Sequence, residues 1–346
     1  MRKIVHHELG LPSDLLVVEE EPADTPGAAE VKIRVNYAPV HPGDLLGVLG
    51  SPAFGAPPGI SPGGRVPGFE GAGVIEQVGA GIDPRLGLFP GTRVAFFPAP
   101  GSWRDEVIVP AAAVVPLPVA IADKTGAQLL INTITALTVI RAAHESVPPG
   151  ARTDVVVLLT AAGSSVGRLV AKLLADRCVK AIRLVRSEAG AEKLASLQPG
   201  SPVIATDKAD WKDDVRAAAG GAPIYVAIDS VGGKLLGDIA EFLVEGSGTV
   251  VNFGSLGGEA SDIRSFAPRA LTLKGVYVGQ WMQQPEDVRR ADVALALQLA
   301  AEPGSLLETA ASYPPSEIAL AVAHVGRPGR SGVVLLDFDQ GRALAS

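Results

Sequence analysis

A single cysteine, Cys178, stands in a chain of 346 residues. One thiol excludes an intrachain disulfide framework and a cysteine-rich zinc site. It suits a reducing compartment, so a cytoplasmic location is expected. Long apolar runs are missing too: no stretch approaches the roughly 18 residues that suggest a membrane span. The N-terminus, MRKIVHHELGLPSDLL, lacks the apolar segment of a secretory signal. Basic runs are absent, and the net charge is −7, so there is no electrostatic footprint for nucleic acid or an anionic membrane surface. The histidines His6, His7, His41, His144 and His324 show no ligand-like spacing, so no metal is expected. What is present is 47% hydrophobic and 19% charged residues, enough apolar surface to build a core. At roughly 150 residues per domain, the length predicts two domains.

The texture divides the chain. Up to about residue 120 it is rich in Val, Gly and Pro, with short strand-like runs at 31–40, 71–81, 91–99 and 106–118, which predicts a β-rich, partly barrel-like domain. The segment 50–68, GSPAFGAPPGISPGGRVPG, reads as a loop, and long loops in compact domains are often functional. From 123 the apolar residues fall at helical spacing. Strand-like and helical runs then alternate through 155–279, which predicts a parallel sheet covered on both faces. Helices are expected around 285–301 and 316–324, and a last strand at 331–339 should rejoin the N-terminal domain. The expected fold is therefore α/β: residues 122–294 form a doubly wound domain, and 1–121 with 295–346 form the β-rich one.

The stretch 155–172, VVVLLTAAGSSVGRLVAK, reads as strand, glycine-bearing turn and helix. A dinucleotide fingerprint has G-x-G-x-x-G at this place. Here Ala162, Gly163, Ser164, Ser165, Val166 and Gly167 keep the last glycine and put Ala and Ser at the first two. Small residues let a pyrophosphate approach the backbone, and the last glycine lets helix and strand pack closely. Ser164 and Ser165 add hydroxyls, and the helix N-terminus adds N–H groups. Cys178 falls on the predicted helix after this loop and is expected to pack there. A plain strand-to-helix turn remains an alternative on the loop alone. The residue that reads the adenosine ribose should follow the second strand, an acid for NAD and a base for NADP. Arg186 and Ser187 stand there. An arginine can pair bidentately with a phosphate, which favours NADPH, although Glu188 follows. Gly254 and Ser255, at a later strand end, are further candidates for touching the cofactor.

Several stretches resemble the medium-chain dehydrogenase/reductase superfamily: GFEGAGVIEQVG (68–79), PGTRV (90–94), GSWRDE (101–106) and IDSVGG (228–233). The resemblance covers nearly the whole chain and implies a GroES-like β-rich domain, a Rossmann cofactor domain and a homodimer, commonly through an edge strand of the latter. The family's zinc-binding Gly-His-Glu motif appears as Gly68, Phe69 and Glu70, so the ligand His is missing. The chain is most similar to zinc-free members, the quinone oxidoreductases and 2-enoyl thioester reductases. The segment APVHPGDL (38–45) resembles the A-P-I-N-P-S-D-I of the enoyl reductases, which marks His41 and Asp44 as catalytic candidates. LINTITA (130–136) and LKGVYVGQW (273–281) resemble stretches of the same enzymes. The resemblance implies that Thr135 and the 277–281 segment lie near the nicotinamide, with Thr135 and Tyr277 as cofactor contacts and Trp281 as a third catalytic candidate.

One departure matters. The enoyl reductases carry a tyrosine shortly after N-P-S-D, and Pro52 falls at that position here. His41 can substitute as the acid, since its ordinary pKa suits proton transfer near neutral pH. It can equally pack or cap a turn. Tyr37 and Trp103 also have two readings, as site or as core and loop anchor. The expected function is hydride delivery from NADPH to a small-molecule acceptor: a quinone, an enone or an enoyl thioester. A non-catalytic NADPH sensor on the same scaffold, and a zinc enzyme with unusual ligands, are the alternatives.

Overall fold

The computed structural model describes residues 1–51, 60–151, 155–302, 304 and 306–340. It divides into two compact units, Met1–Ile131 with Val293–Ser346, and Asn132–Asp292.

The first unit holds a two-stranded sheet of β1 (Arg2–Val5) and β2 (Val17–Glu20), with α1 (Pro12–Leu15) between them. Its larger sheet is built from β3 (Glu30–Pro39), β4 (Gly71–Val78), β5 (Arg93–Phe96), β6 (Glu106–Pro110) and β7 (Val114–Pro116). α2 (Pro42–Val48) follows β3, and α3 (Asp123–Gly126) and α4 (Leu129–Glu145) come after β7. From the far end of the chain come β14 (Thr309–Tyr313), α10 (Ile318–Val325) and β15 (Val333–Asp337). The sheet order is β14-β15-β3-β4-β5-β7, with β6 also paired to β3. The late strand VVLLD therefore returns to the N-terminal sheet, pairing antiparallel with β3 through Leu335 and Pro39. Alternation sets which side chains turn inward. Ile33, Val35, Phe96, Trp103, Leu336 and Phe338 share one buried cluster, each worth about 1.5–3 kcal/mol of burial. Two register shifts in the β3–β4 pairing, at Lys32/Ile33 and Val35/Tyr37, bend β3 just before it delivers His41 to the start of α2. Tyr37 is half-buried on that strand, and Trp103 is fully buried, its Nε1–H donated to the Pro39 carbonyl at 3.0 Å. Trp103 therefore anchors its loop.

The second unit is a six-stranded parallel sheet: β8 (Val156–Leu159), β9 (Lys180–Val185), β10 (Val203–Ala205), β11 (Val226–Asp229), β12 (Thr249–Asn252) and β13 (Thr272–Gly275). The connecting helices are α5 (Ser165–Ala175), α6 (Glu188–Leu197), α7 (Trp211–Ala219) and α8 (Gly233–Ala240); α9 (Glu286–Ala301) follows. The sheet order is β10-β9-β8-β11-β12-β13. The chain winds outward from β8 in one direction, returns, and winds outward from β11 in the other. β8 and β11 are buried at every residue, as strands covered on both faces must be, and their apolar runs follow from that. In such a sheet the ligand crevice lies at the carboxyl ends of the strands, where the winding reverses.

Cys178 was expected to pack on the helix after the loop. The structure corrects this: α5 ends at Ala175 and Cys178 is exposed. Val179 N–H donates to Leu174 O and Cys178 N–H to Ala175 O, both at 2.9 Å. Cys178 takes φ 58°, the left-handed position that usually belongs to glycine in this helix-closing motif. No described helix is long and apolar enough to cross a membrane. Pro52 and the central part of the predicted 50–68 loop lie outside the described residues.

Candidate functional site

In the second unit, parallel strands bring residues distant in sequence to one edge of the sheet. The loop after β8 is held by its own geometry. Ala161 takes φ 46°, and Ser164 caps α5, its Oγ accepting from Gly167 N–H at 3.0 Å. A capping hydroxyl still has its own proton to donate. The first N–H groups of a helix have no intrahelical acceptor, so those of Ser165 and Val166 are available to an anion. The two glycines differ in kind. A Cβ at Gly167 would stand 2.5 Å from Ala161 O and 2.9 Å from Ala162 Cα, so glycine is required there by the protein itself. A Cβ at Gly163 would meet only Val185 Cγ1, at 3.9 Å. The space beside Gly163 suits a group lying against the loop.

Asp229 ties the neighbouring strand ends together. It is fully buried at the end of β11. Its Oδ1 accepts from Thr160 Oγ1 at 2.6 Å and Val231 N–H at 3.0 Å. Its Oδ2 accepts from Asn252 Nδ2 at 2.8 Å and Gly232 N–H at 2.9 Å. One carboxylate thus joins the ends of β8, β11 and β12, and its charge is met by four donors. Asn252 also donates to Gly254 O at 2.9 Å, which shapes the turn carrying Gly254 and the exposed Ser255. A Cβ at Gly254 would lie 2.9 Å from Ser230 O, so this glycine permits close approach of two backbones.

After β9, Arg186 is exposed, and its guanidinium has neither a hydrogen bond nor an ion pair among the described residues. Ser187 caps α6, accepting from Gly190 N–H at 3.3 Å. Glu188, the acid that weakened the phosphate reading, is tied to Lys208 at 2.8 Å. Tyr277, past the end of β13, is exposed. Trp281 is buried, its Nε1–H donated to Asp292 Oδ2 at 2.9 Å, and Asp292 also pairs with Arg141. The indole N–H is therefore committed inside the protein. Thr135 is a buried position on α4.

The first unit holds a separate cluster. His41 precedes α2, and its N–H donates to Asp44 Oδ2 at 2.8 Å, which places both candidates in one helix start. A third residue joins them, Glu70. It is 1% exposed; its Oε1 stands 2.7 Å from His41 Nε2, and its Oε2 accepts from Ile131 N–H at 2.8 Å in the first turn of α4. A carboxylate at a helix N-terminus is favoured by the helix dipole. Burial pushes His41 down, but the hydrogen bond and charge of Glu70, with the charge of Asp44, outweigh it, and Arg330 opposes them. The net shift raises His41 above the ordinary histidine range. Burial pushes Asp44 up to about 6 against the charge and N–H of His41. Two residues of this set were not singled out as site residues from the sequence: Glu70 and Asp229. The signal for both was a carboxylate inside an apolar segment, where a charge requires partners. Among the described residues, no group of three or more His, Cys, Asp or Glu is placed to hold a metal.

Comparison with known proteins places these features in a wider set. Residues 27–119 match the alcohol dehydrogenase GroES-like domain. The mitochondrial enoyl-(acyl-carrier-protein) reductase of Rattus norvegicus is 25% identical over 289 residues, 81% of this chain and 73% of that protein. A solved structure from Bacillus thuringiensis, assigned as an NADPH:quinone reductase, superposes with a TM-score of 0.83 at 27% identity, covering 97% of this chain and 98% of that one. Escherichia coli quinone oxidoreductase complexed with NADPH gives 0.82 at 20% identity, covering 97% and 100%, a likeness of fold.

Proposed function

We propose that the chain is a member of the medium-chain dehydrogenase/reductase superfamily and an NADPH-dependent reductase of an activated carbon–carbon double bond, with His41 as the proton source. The observation that carries the cofactor reading is the unpaired Arg186 at the end of β9, beside the Gly163 space and the free N–H groups of α5. Ala162–Gly167 would hold the pyrophosphate, and Arg186 with Ser187 the 2′-phosphate. Gly254, Ser255, Tyr277 and Thr135 are the further candidates along the cofactor. When bound, the cofactor supplies the hydride. The acceptor also needs one proton to become the saturated product. Glu70 holds the ring of a protonated His41 in place through Nε2 while a ring proton transfers. Asp44 fixes the start of the helix that carries His41.

Oxidation of NADPH in the presence of a quinone, an enone and a crotonyl thioester tests this reading. Turnover of the enone or thioester, reduced in His41→Asn, is the expected result. NADPH that binds but is oxidised by no acceptor would make the chain a nucleotide-binding sensor. Quinone reduction is the second reading, favoured by the likeness to the Bacillus thuringiensis structure. A quinone needs no positioned acid, since water can protonate the product, so quinone turnover indifferent to His41→Asn would select it. A homodimer through β13 fits the same reading, because that edge strand is largely exposed; light scattering of the purified chain reads its mass.

A further inference from the structure

The first unit contains a cavity of about 340 Å³, lined by Asp44, Arg65, Phe69, Gly101 and Arg104, with His6 at its wall. Its charged groups differ in how they are answered. The Asp44 carboxylate accepts from His41 N–H at 2.8 Å and lies beside that ring. Arg104 donates Nε–H to Gly101 O at 2.7 Å and pairs through Nη1 with Glu21 at 3.0 Å. Burial lowers the pKa of His6, against the Glu8 carbonyl that its Nδ1 meets at 2.8 Å, and Arg65 and His7 push it the same way as burial. Arg65 alone is unanswered. Its backbone bridges to His6, which fixes its place in the fold. Its half-buried side chain has no hydrogen bond and no carboxylate among the described residues. The segment 52–59, PAFGAPPG, carries no acidic side chain that could serve. The guanidinium lies over Gly47, where a Cβ would stand 3.8 Å from Nη2, one turn of α2 beyond Asp44.

A half-buried guanidinium with no partner among the described residues is free to take an anion. It carries five donors in a planar fork that matches a carboxylate or a phosphate. We infer that Arg65 is an anion subsite of this cavity, taking the carboxylate or phosphate carried by the hydride acceptor. The assignment of that anion to the acceptor rests on the reductase reading above; the anion site itself does not. Asp44 is shared by this cavity and the His41–Glu70 cluster, which is why the subsite is assigned to the acceptor. The acceptor class that follows is a conjugated substrate with an anionic tail.

Two pairs of acceptors separate the sources of the anion. Crotonyl-CoA against the neutral crotonyl N-acetylcysteamine thioester reports on a phosphate. An enone carrying a remote carboxylate against its methyl ester reports on a carboxylate. In the wild-type protein the anionic member of one pair should have the higher kcat/KM. Arg65→Gln should lower that anionic-to-neutral ratio roughly tenfold, the size of one charge-assisted contact, and Arg65→Lys should restore part of it. The pair that responds names the source. Ratios unchanged in both pairs overturn the assignment to the acceptor. Calorimetric titration of inorganic phosphate and of acetate, with no cofactor present, reads the site without turnover. Saturable binding lost in Arg65→Gln, with thermal unfolding showing that variant folded, supports the subsite. Equal binding by both proteins, or none by the wild type, overturns it. If no acceptor is reduced at all, the reductase reading fails while the titration still decides whether Arg65 holds an anion.

Discussion

His41 Nε2 and Glu70 Oε1 stand 2.7 Å apart, although 29 residues separate them in sequence. Glu70 raises the pKa of His41 by accepting its hydrogen bond and by its charge, against the downward push of burial. Glu70→Gln removes the charge and keeps the shape. The alkaline limb of the pH–rate profile for enone reduction should move to lower pH in that variant. A profile that keeps its position while the rate falls would assign Glu70 to structure alone.

The His41 shift also bears on stability. Its folded pKa lies above the ordinary 6.5, so its contribution is complete below 6.5 and fades as pH rises through the folded value. Asp44 moves the same way, from 3.8 unfolded to about 6 folded. Its contribution is complete below 3.8 and is lost as pH rises through about 6. The stability of Asp44→Asn relative to wild type should therefore improve between pH 4 and pH 7, by up to about 3 kcal/mol at roughly 1.4 kcal/mol per pKa unit. Urea unfolding at both pH values measures it; a constant difference would mean that Asp44 does not titrate in this window.

Four donors converge on Asp229. An amide in its place presents an NH₂ group to donors that need an acceptor. Asp229→Asn should cost about 3 kcal/mol, at roughly 1.5–3 kcal/mol for a hydrogen bond to a charged group. It should also weaken NADPH binding, because the ends of β8 and β12 lose their common tie. Chemical denaturation with fluorescence titration of NADPH checks both effects. Full stability in the variant would show that the strand ends are held by the sheet alone.

The glycines of the loop separate packing from binding. Gly167→Ala forces a Cβ to 2.5 Å from Ala161 O and should destabilise the protein by about 1–3 kcal/mol, the usual cost of overpacking. Gly163→Ala has room and should leave the melting temperature nearly unchanged while raising the Kd for NADPH about tenfold or more. Equal NADPH affinity in Gly163→Ala would move the pyrophosphate elsewhere.

Arg186 should decide the cofactor's 2′-phosphate. Arg186→Ala is expected to raise KM for NADPH roughly tenfold and to leave KM for NADH little changed. Steady-state kinetics with both nucleotides gives the ratio, and an unaltered preference would place the phosphate on another residue.

Much of this was legible because the signals are local. The run of 155–172 announced strand, turn and helix, and Gly167 announced close packing. Strand order was less accessible, since β8 and β11 become neighbours through contacts that no local period encodes. Glu70 was seen only as the remainder of a broken zinc motif; its partnership with His41 exists only once β4 and α2 are placed. Trp281 resembled a nicotinamide neighbour in sequence, and only folding shows its N–H spent on Asp292. Cys178 looked like a helix residue because nothing in its identity marks a left-handed position.

The pairing of β15 with β3 has a consequence for synthesis on the ribosome. Residues 132–292 emerge as one uninterrupted segment carrying all six strands of their sheet, and can complete it during elongation. The first unit begins earlier and finishes later. From the time Pro39 emerges until Leu335 does, residues 37–39 of β3 lack the neighbour that β15 supplies, and an unpaired strand edge is where a chain aggregates. Chaperone demand during translation should therefore fall on the segment made first.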